Sequence, residues 1–156
     1  MKNISLLIIY IFMTGCNSSK KIHATPGGSE MLYASQWYLA GLNGSAVNSG
    51  KAHLLFYPGQ VGRVSGNAGC NNLNGTFELS GVNFIKFSPL ATTRMACEPG
   101  IRETEFTEAL GKVNNWSIIN NQLLLNNGKI LLAKLNAVPA EASKLDGNWE
   151  LNYISG

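Results

Sequence analysis

From Met31 onward, short apolar runs alternate with turns that contain Asn and Gly, and this alternation dictates a fold built mainly from strands. The runs are QWYLAGL, HLLFY, VGRVSG, GTFEL, VNFIKF, NWSII, QLLLN and KILLAKL. Runs of this length and spacing indicate strands rather than helices. Asn120 and Asn121 separate NWSII from QLLL, and Asn126 to Gly128 separate that run from KILLAKL. Asn and Gly tolerate the positive φ of tight turns, so we predict a three-stranded antiparallel meander over residues 115–135.

One segment, PGIRETEFTEALGKV, departs from this alternation. Its apolar residues, among them Ile101, Phe106 and Leu110, fall largely on one helical face. Pro99 and the acidic first turns suit a helix start. We therefore predict an α+β fold class: a compact, mainly antiparallel sheet, partly barrel-like, with one amphipathic helix packed across it.

The first residues, MKNISLLIIYIFMTGCNSS, predict export and a lipid anchor. A lysine, an apolar run and two small residues precede Cys16, in the order of a secretory signal over residues 1–15. The apolar run is shorter than the roughly 20 residues that a membrane-spanning helix needs. Small residues directly before a cysteine are also the layout of a bacterial lipoprotein processing site, so Cys16 is predicted to carry diacylglycerol. An ordinary signal peptide with an incidental Cys16 is the alternative.

The segment 16–30 lacks apolar periodicity and is predicted to be a flexible tether to the membrane. Asn17 follows the lipid site, which favours sorting to the outer membrane, facing the periplasm. The net charge of +3 is dispersed, and Lys20 and Lys21 are its only adjacent cations. These lysines suit a tether near anionic head groups, so the membrane is the predicted partner and nucleic acid is not.

Cys70 and Cys97 remain once Cys16 is assigned to lipid. Outside the cytoplasm such a pair is usually a disulfide, and two free thiols are the alternative. A catalytic thiol would need a CxxC-type spacing or a nearby base, and neither is present. A structural zinc site would need four ligands, whereas the exported chain adds only His23 and His53.

The sequence contains no recognisable catalytic or cofactor motif. It has no phosphate-binding GxxxxGK, no HExxH and no GxSxG. Glu103, Glu105 and Glu108 are predicted to form a solvated helix face. Arg94 is predicted to pair with a carboxylate or to cap backbone carbonyls, and anion binding beside the Gly-rich loop is the alternative. We accordingly predict no enzymatic activity, no cofactor and no metal site.

Two motifs resemble those of the META domain family, to which HslJ-like proteins belong. They are GCN, at Gly69, Cys70 and Asn71 with Gly75 and Phe77 after it, and TTRMAC, with Thr93, Arg94, Met95 and Cys97. Trp37 and Leu39 match the usual start of the domain, and the resemblance covers residues 31–135. It implies a compact α+β domain on secreted or lipid-anchored bacterial proteins, with links to heat shock and no established enzymatic activity.

These inferences predict a noncatalytic lipoprotein of the cell envelope that contributes to the envelope stress response or to envelope integrity. Its partner there would be an envelope protein of unknown identity. The alternative is a binding or inhibitory module that acts on an envelope hydrolase or a small ligand. In that case an exposed loop such as GNAGCNNLNG would contact the partner.

The end of the chain predicts a second domain. Residues 136–144 are predicted to be a linker, since they contain Pro139 and small or polar residues. In residues 145–156, WELNYISG repeats WYLAGLNG in its tryptophan, leucine and glycine, so we predict the first strand of a second META-like repeat. A final strand of the first domain is the alternative.

Overall fold

The structure is a computed structural model that describes residues 28–48 and 50–139 of the 156-residue chain. The predicted signal, Cys16 and the predicted repeat over 145–156 lie outside these residues. The elements are α1 Gly28–Ala34, β1 Ser35–Leu42, β2 Ser45–Ala46, β3 His53–Tyr57, β4 Gly62–Asn67, β5 Asn72–Ser80, β6 Phe84–Phe87, β7 Ala91–Thr92, α2 Glu103–Lys112, β8 Asn115–Ile119, β9 Gln122–Asn127 and β10 Ile130–Pro139.

All strand pairings are antiparallel, and the sheet closes on itself as a ring. The strands follow the order β10, β9, β8, β6, β5, β4, β3, β1 and β2, with β7 beside β5. The ring closes because β1 also pairs with β10, from Ser35 opposite Pro139 to Leu42 opposite Ala133. This architecture confirms the predicted α+β class.

The core fills the inside of the ring. Strand residues alternate between core and surface, as in β9, where Leu123 and Leu125 are buried. Helix α2 contributes Phe106, Ala109 and Leu110 to the same core. The predicted helix is therefore present and packs across the sheet. None of the described helices is long and apolar enough to cross a membrane.

A second helix, α1, precedes the sheet and was not predicted. It begins at Gly28, inside the segment predicted as tether, and buries Leu32 completely. The Leu32 carbonyl accepts a hydrogen bond from Trp37 Nε1 at 2.9 Å. Because the indole is fully buried, this bond satisfies a donor that would otherwise be costly to bury.

The predicted meander is present as β8, β9 and β10. Asn120 and Asn121 connect β8 to β9 with φ of 51° and 60°. Strand β10 extends to Pro139 and pairs with β1, so the sheet includes residues 136–139 of the segment predicted as linker. The rest of that segment lies outside the described residues.

Candidate functional site

The two cysteine motifs meet at the start of helix α2. Cys70, in the loop between β4 and β5, is disulfide-bonded to Cys97, and their Cα atoms are 5.9 Å apart. Residues 93–102, between β7 and α2, belong to no strand or helix. Irregular backbone has no ladder to satisfy its polar groups, so side chains must do so.

Asn71 bonds both this segment and the start of α2, and only 4% of its surface is exposed. Its Oδ1 accepts from Thr93 Oγ1 and from the Met95 N–H, each at 2.7 Å. Its backbone N–H donates to Glu103 Oε2 at 2.8 Å, and its Nδ2 donates to Glu103 Oε1 at 3.0 Å. Nδ2 also lies 3.2 Å from Cys97 Sγ. One buried residue thus connects the β4–β5 loop, the TTRMAC segment and helix α2.

The loop that carries Cys70 depends on a local turn and on a glycine. Asn67 Oδ1 accepts from the Gly69 N–H at 2.8 Å, and Asn67 Nδ2 donates to the Cys70 carbonyl at 3.2 Å. Gly69 has φ of +121°, and a Cβ there would lie 2.9 Å from Ile101 Cγ2. Both the backbone angle and the close approach of Ile101 therefore require glycine at this position.

Gly75, the other glycine of the motif, does not belong to this site. It lies within β5, where a Cβ would meet Leu90 Cδ2 at 2.5 Å. Its absent side chain lets Leu90 pack against the strand. Gly75 therefore makes room for the segment after β6 to pack against β5.

Arg94 and Met95 lie on the outside of the site. Both are exposed, Met95 by 56%. They line an open depression of about 590 Å³ together with Ile101 and Glu103. Within residues 28–48 and 50–139, Arg94 forms no salt bridge and no side-chain hydrogen bond, so the structure does not contain the pairing predicted for it. Glu103 lines the same depression but directs its carboxylate to Asn71.

The acidic residues of α2 differ from one another, which corrects the prediction of a uniformly solvated face. Glu103 is half-buried and accepts from Asn71, whereas Glu108 is exposed. Glu105 accepts from Arg102 Nε at 2.7 Å and from Asn43 Nδ2 at 2.8 Å. The hydrogen bond from Arg102, followed by that from Asn43, lowers the pKa of Glu105. This cluster attaches the first turn of α2 to the turn after β1.

The site also brings three potential metal ligands together. Cys70 Sγ, Cys97 Sγ and a Glu103 carboxylate oxygen all lie within 4.8 Å of one another. Sequence reasoning missed Glu103, because its position six residues after Cys97 looks like an ordinary helix surface. In the disulfide form the sulfurs are bonded to each other and are not thiolate ligands.

The chain is an α+β domain with a ring-like antiparallel sheet. Helix α2 packs on this sheet, and the disulfide links the segment before the helix to the β4–β5 loop. The family model of the META domain matches residues 30–137, so the chain belongs to the META domain family. This confirms the resemblance drawn from the GCN and TTRMAC motifs. No protein of established function in the curated comparison matches the chain.

Two solved structures resemble the chain. One is an NMR structure, 28% identical, that aligns over 68% of this chain and 92% of its own with a TM-score of 0.52. The other is an NMR structure of a protein from Burkholderia xenovorans, 22% identical, with 70% and 86% of the two chains covered and a TM-score of 0.48. The first of these supports the fold.

Proposed function

We propose that this protein is a noncatalytic lipoprotein of the bacterial cell envelope, and that its META domain supports envelope integrity under stress. It would be held through Cys16 at the outer membrane, facing the periplasm, and would act by contact with another envelope protein. Membership of the META domain family supports the proposal.

The hydrogen bonds of Asn71 support the noncatalytic part of the proposal. Its side-chain oxygen and nitrogen and its backbone N–H are all bonded within the domain, to the TTRMAC segment and to α2. A residue so occupied positions a segment of chain and has no free group for substrate. The motif therefore supports a rigid scaffold rather than a catalytic centre.

That scaffold presents an exposed cation beside an exposed apolar side chain. Arg94 and Met95 project from a segment that Asn71 and the disulfide hold at both ends. Arginine and methionine are both enriched at protein interfaces, and a preorganised segment loses little entropy on binding. We therefore assign the contact with an envelope partner to this segment.

The test is complementation of a deletion strain of the source bacterium. Replacing Arg94 and Met95 together by Ala should abolish survival under heat or detergent stress, while expression stays normal. The matched control replaces Lys129 and Ile130 by Ala, a cation beside a side chain that is 67% exposed, in the β9–β10 turn. Full complementation by the Arg94 and Met95 variant would refute the contact role of this segment.

The anchor is tested separately. Replacing Cys16 by Ser should release the protein from the membrane fraction or leave it unprocessed, because no sulfur remains for the lipid. Intact mass and membrane partition measure this directly. Unchanged mass and unchanged partition would refute lipidation.

The open depression beside Met95 favours the second candidate function, a binding or inhibitory module. In this alternative the depression and its exposed rim hold part of an envelope hydrolase or a small ligand. Capture from envelope extract by the mature domain distinguishes the two. Recovery of one hydrolase in equal amount, with loss of its activity, would establish inhibition in place of an integrity role.

A further inference from the structure

We infer that the reduced form of this site binds a thiophilic divalent cation such as Zn²⁺, through Cys70, Cys97 and Glu103. The inference goes beyond the proposed function and does not depend on it. Every newly synthesised chain has free thiols until it is oxidised, so the dithiol exists before the disulfide. Disulfide and metal site would then be two alternative states of the same residues.

The ligand atoms already have suitable spacing. Zinc bonds thiolate sulfur at about 2.3 Å and carboxylate oxygen at about 2.1 Å, so in a tetrahedral site the two ligands are about 3.6 Å apart. Cys97 Sγ and Glu103 Oε2 are 3.6 Å apart. Two thiolates on one zinc would be about 3.8 Å apart, so after reduction the sulfurs would have to separate by about 1.7 Å from the usual length of a disulfide bond. Cys97 is exposed, and its side chain has room to turn.

The surrounding hydrogen bonds hold the ligands in place without the disulfide. Asn71 bonds Thr93, Met95 and Glu103, and none of these bonds involves a sulfur. The TTRMAC segment and the start of α2 therefore remain attached to the β4–β5 loop when the cysteines are reduced. This preorganisation lowers the entropic cost of collecting three ligands around one ion.

Asn71 also supplies the outer shell that such a site requires. Its Nδ2 lies 3.2 Å from Cys97 Sγ, 3.9 Å from Cys70 Sγ and 3.0 Å from Glu103 Oε1. Hydrogen bonds to ligating sulfur and carboxylate orient these ligands and tune the metal. Two thiolates and one carboxylate leave the zinc complex with one negative charge, and Arg94 lines the same depression.

The electron and proton balance is simple. From the disulfide, a dithiol reductant supplies two electrons and two protons and becomes a disulfide itself. Each thiol then gives up its proton as its sulfur bonds the metal, so loading releases two protons. The fourth coordination position remains for water or for a group from outside the domain.

The probe is Co²⁺, because its thiolate complexes absorb light through sulfur-to-metal charge transfer. The full chain would carry Cys16→Ser, so that Cys70 and Cys97 are its only thiols. After reduction, one equivalent of Co²⁺ should give the charge-transfer band, and Zn²⁺ should remove it by displacement. The oxidised chain should give no band. Absence of the band from the reduced chain would overturn the inference.

The role of Glu103 is tested by matched variants. Glu103→Gln should weaken Zn²⁺ binding at least about tenfold, since loss of even an outer-shell partner costs 10–100-fold. Glu108→Gln, on the same helix but exposed, should bind as the parent does. Equal affinities of the two variants would overturn the three-ligand site. Circular dichroism of the metal-free chains checks that both variants fold.

A second measurement covers the case in which Glu103→Gln does not fold. With carbon-13 at the glutamate carboxyls of the parent chain, one equivalent of Zn²⁺ should shift one carboxyl resonance strongly. Glu108→Gln should retain that shifted resonance. If no carboxyl resonance shifts, the metal is held by the sulfurs alone and the inference fails.

Discussion

Asparagine is prominent in both the meander and the disulfide site, but it has a different role in each. In the meander, Asn120 and Asn121 adopt positive φ, and their side chains are exposed. In the disulfide site, Asn71 is buried and its side chain bonds two other segments. Asn120 and Asn121 allow the backbone to form a tight turn, whereas Asn71 forms tertiary hydrogen bonds. The same residue type therefore tolerates different substitutions in the two regions.

The largest expected effect comes from removing the covalent link, which the meander does not have. Replacing both Cys70 and Cys97 by Ser should lower the free energy of unfolding by about 3.5 kcal/mol, since the unfolded chain gains loop entropy. Urea denaturation in oxidising buffer measures the difference. The same pair of substitutions should have no effect once the parent is reduced with an excess of thiol. A loss that persists under reducing conditions would indicate a packing effect of serine instead.

Asn71→Ala should cost about 3 kcal/mol, because it removes the side-chain hydrogen bond to Glu103 Oε1 and leaves the Met95 N–H without its partner, although the backbone bond to Glu103 Oε2 remains. The matched control is Asn74→Ala, three residues further along in strand β5. Asn74 is exposed and forms no side-chain hydrogen bond to the described residues, so its replacement should cost less than about 0.5 kcal/mol. Equal losses in urea denaturation would contradict the distinction between the two roles.

The turn asparagines should tolerate glycine but not alanine. Asn120→Ala and Asn121→Ala should each cost about 1 kcal/mol, since alanine disfavours the left-handed region. Asn120→Gly should be close to neutral, because glycine adopts positive φ freely. Asn71→Gly, by contrast, should be as damaging as Asn71→Ala. Thermal unfolding of the five variants tests the pattern, and a damaging Asn120→Gly would show that the Asn120 side chain matters.

The smallest expected effect concerns pH. The hydrogen bonds from Arg102 and Asn43 lower the pKa of Glu105 in the folded chain. A lowered folded pKa gives stability that is present above about pH 4.3, the unfolded value, and is lost as pH falls through the folded pKa. Glu105→Gln should therefore reduce the loss of stability on acidification. The midpoints of urea denaturation at neutral and acid pH measure this. If the midpoints of variant and parent fall by the same amount on acidification, Glu105 does not contribute to the pH dependence of stability.

Local patterns were sufficient to predict the meander and α2. Leu123 and Leu125 alternate with surface positions, and hairpin turns need only their own Asn or Gly residues. The helix was visible because Phe106 and Leu110 recur at helical spacing. Helix α1 was missed because its seven residues are too few to display a helical period. Arg94 has no pairing partner among the described residues, and such a partner is hard to predict because it depends on where other segments place their side chains.

From the sequence we predicted the class of fold, the meander with its turns, the amphipathic helix and the family. These follow from periodicity, turn chemistry and motifs, each of which lies within a short stretch of chain. Two contacts became visible only in the folded chain: β1 pairs with β10 to close the ring, and Glu103 meets the cysteines through Asn71. The physical reason is that such contacts join residues far apart in sequence. Their energy depends on burial and on the partners that the completed fold supplies, which no local pattern records.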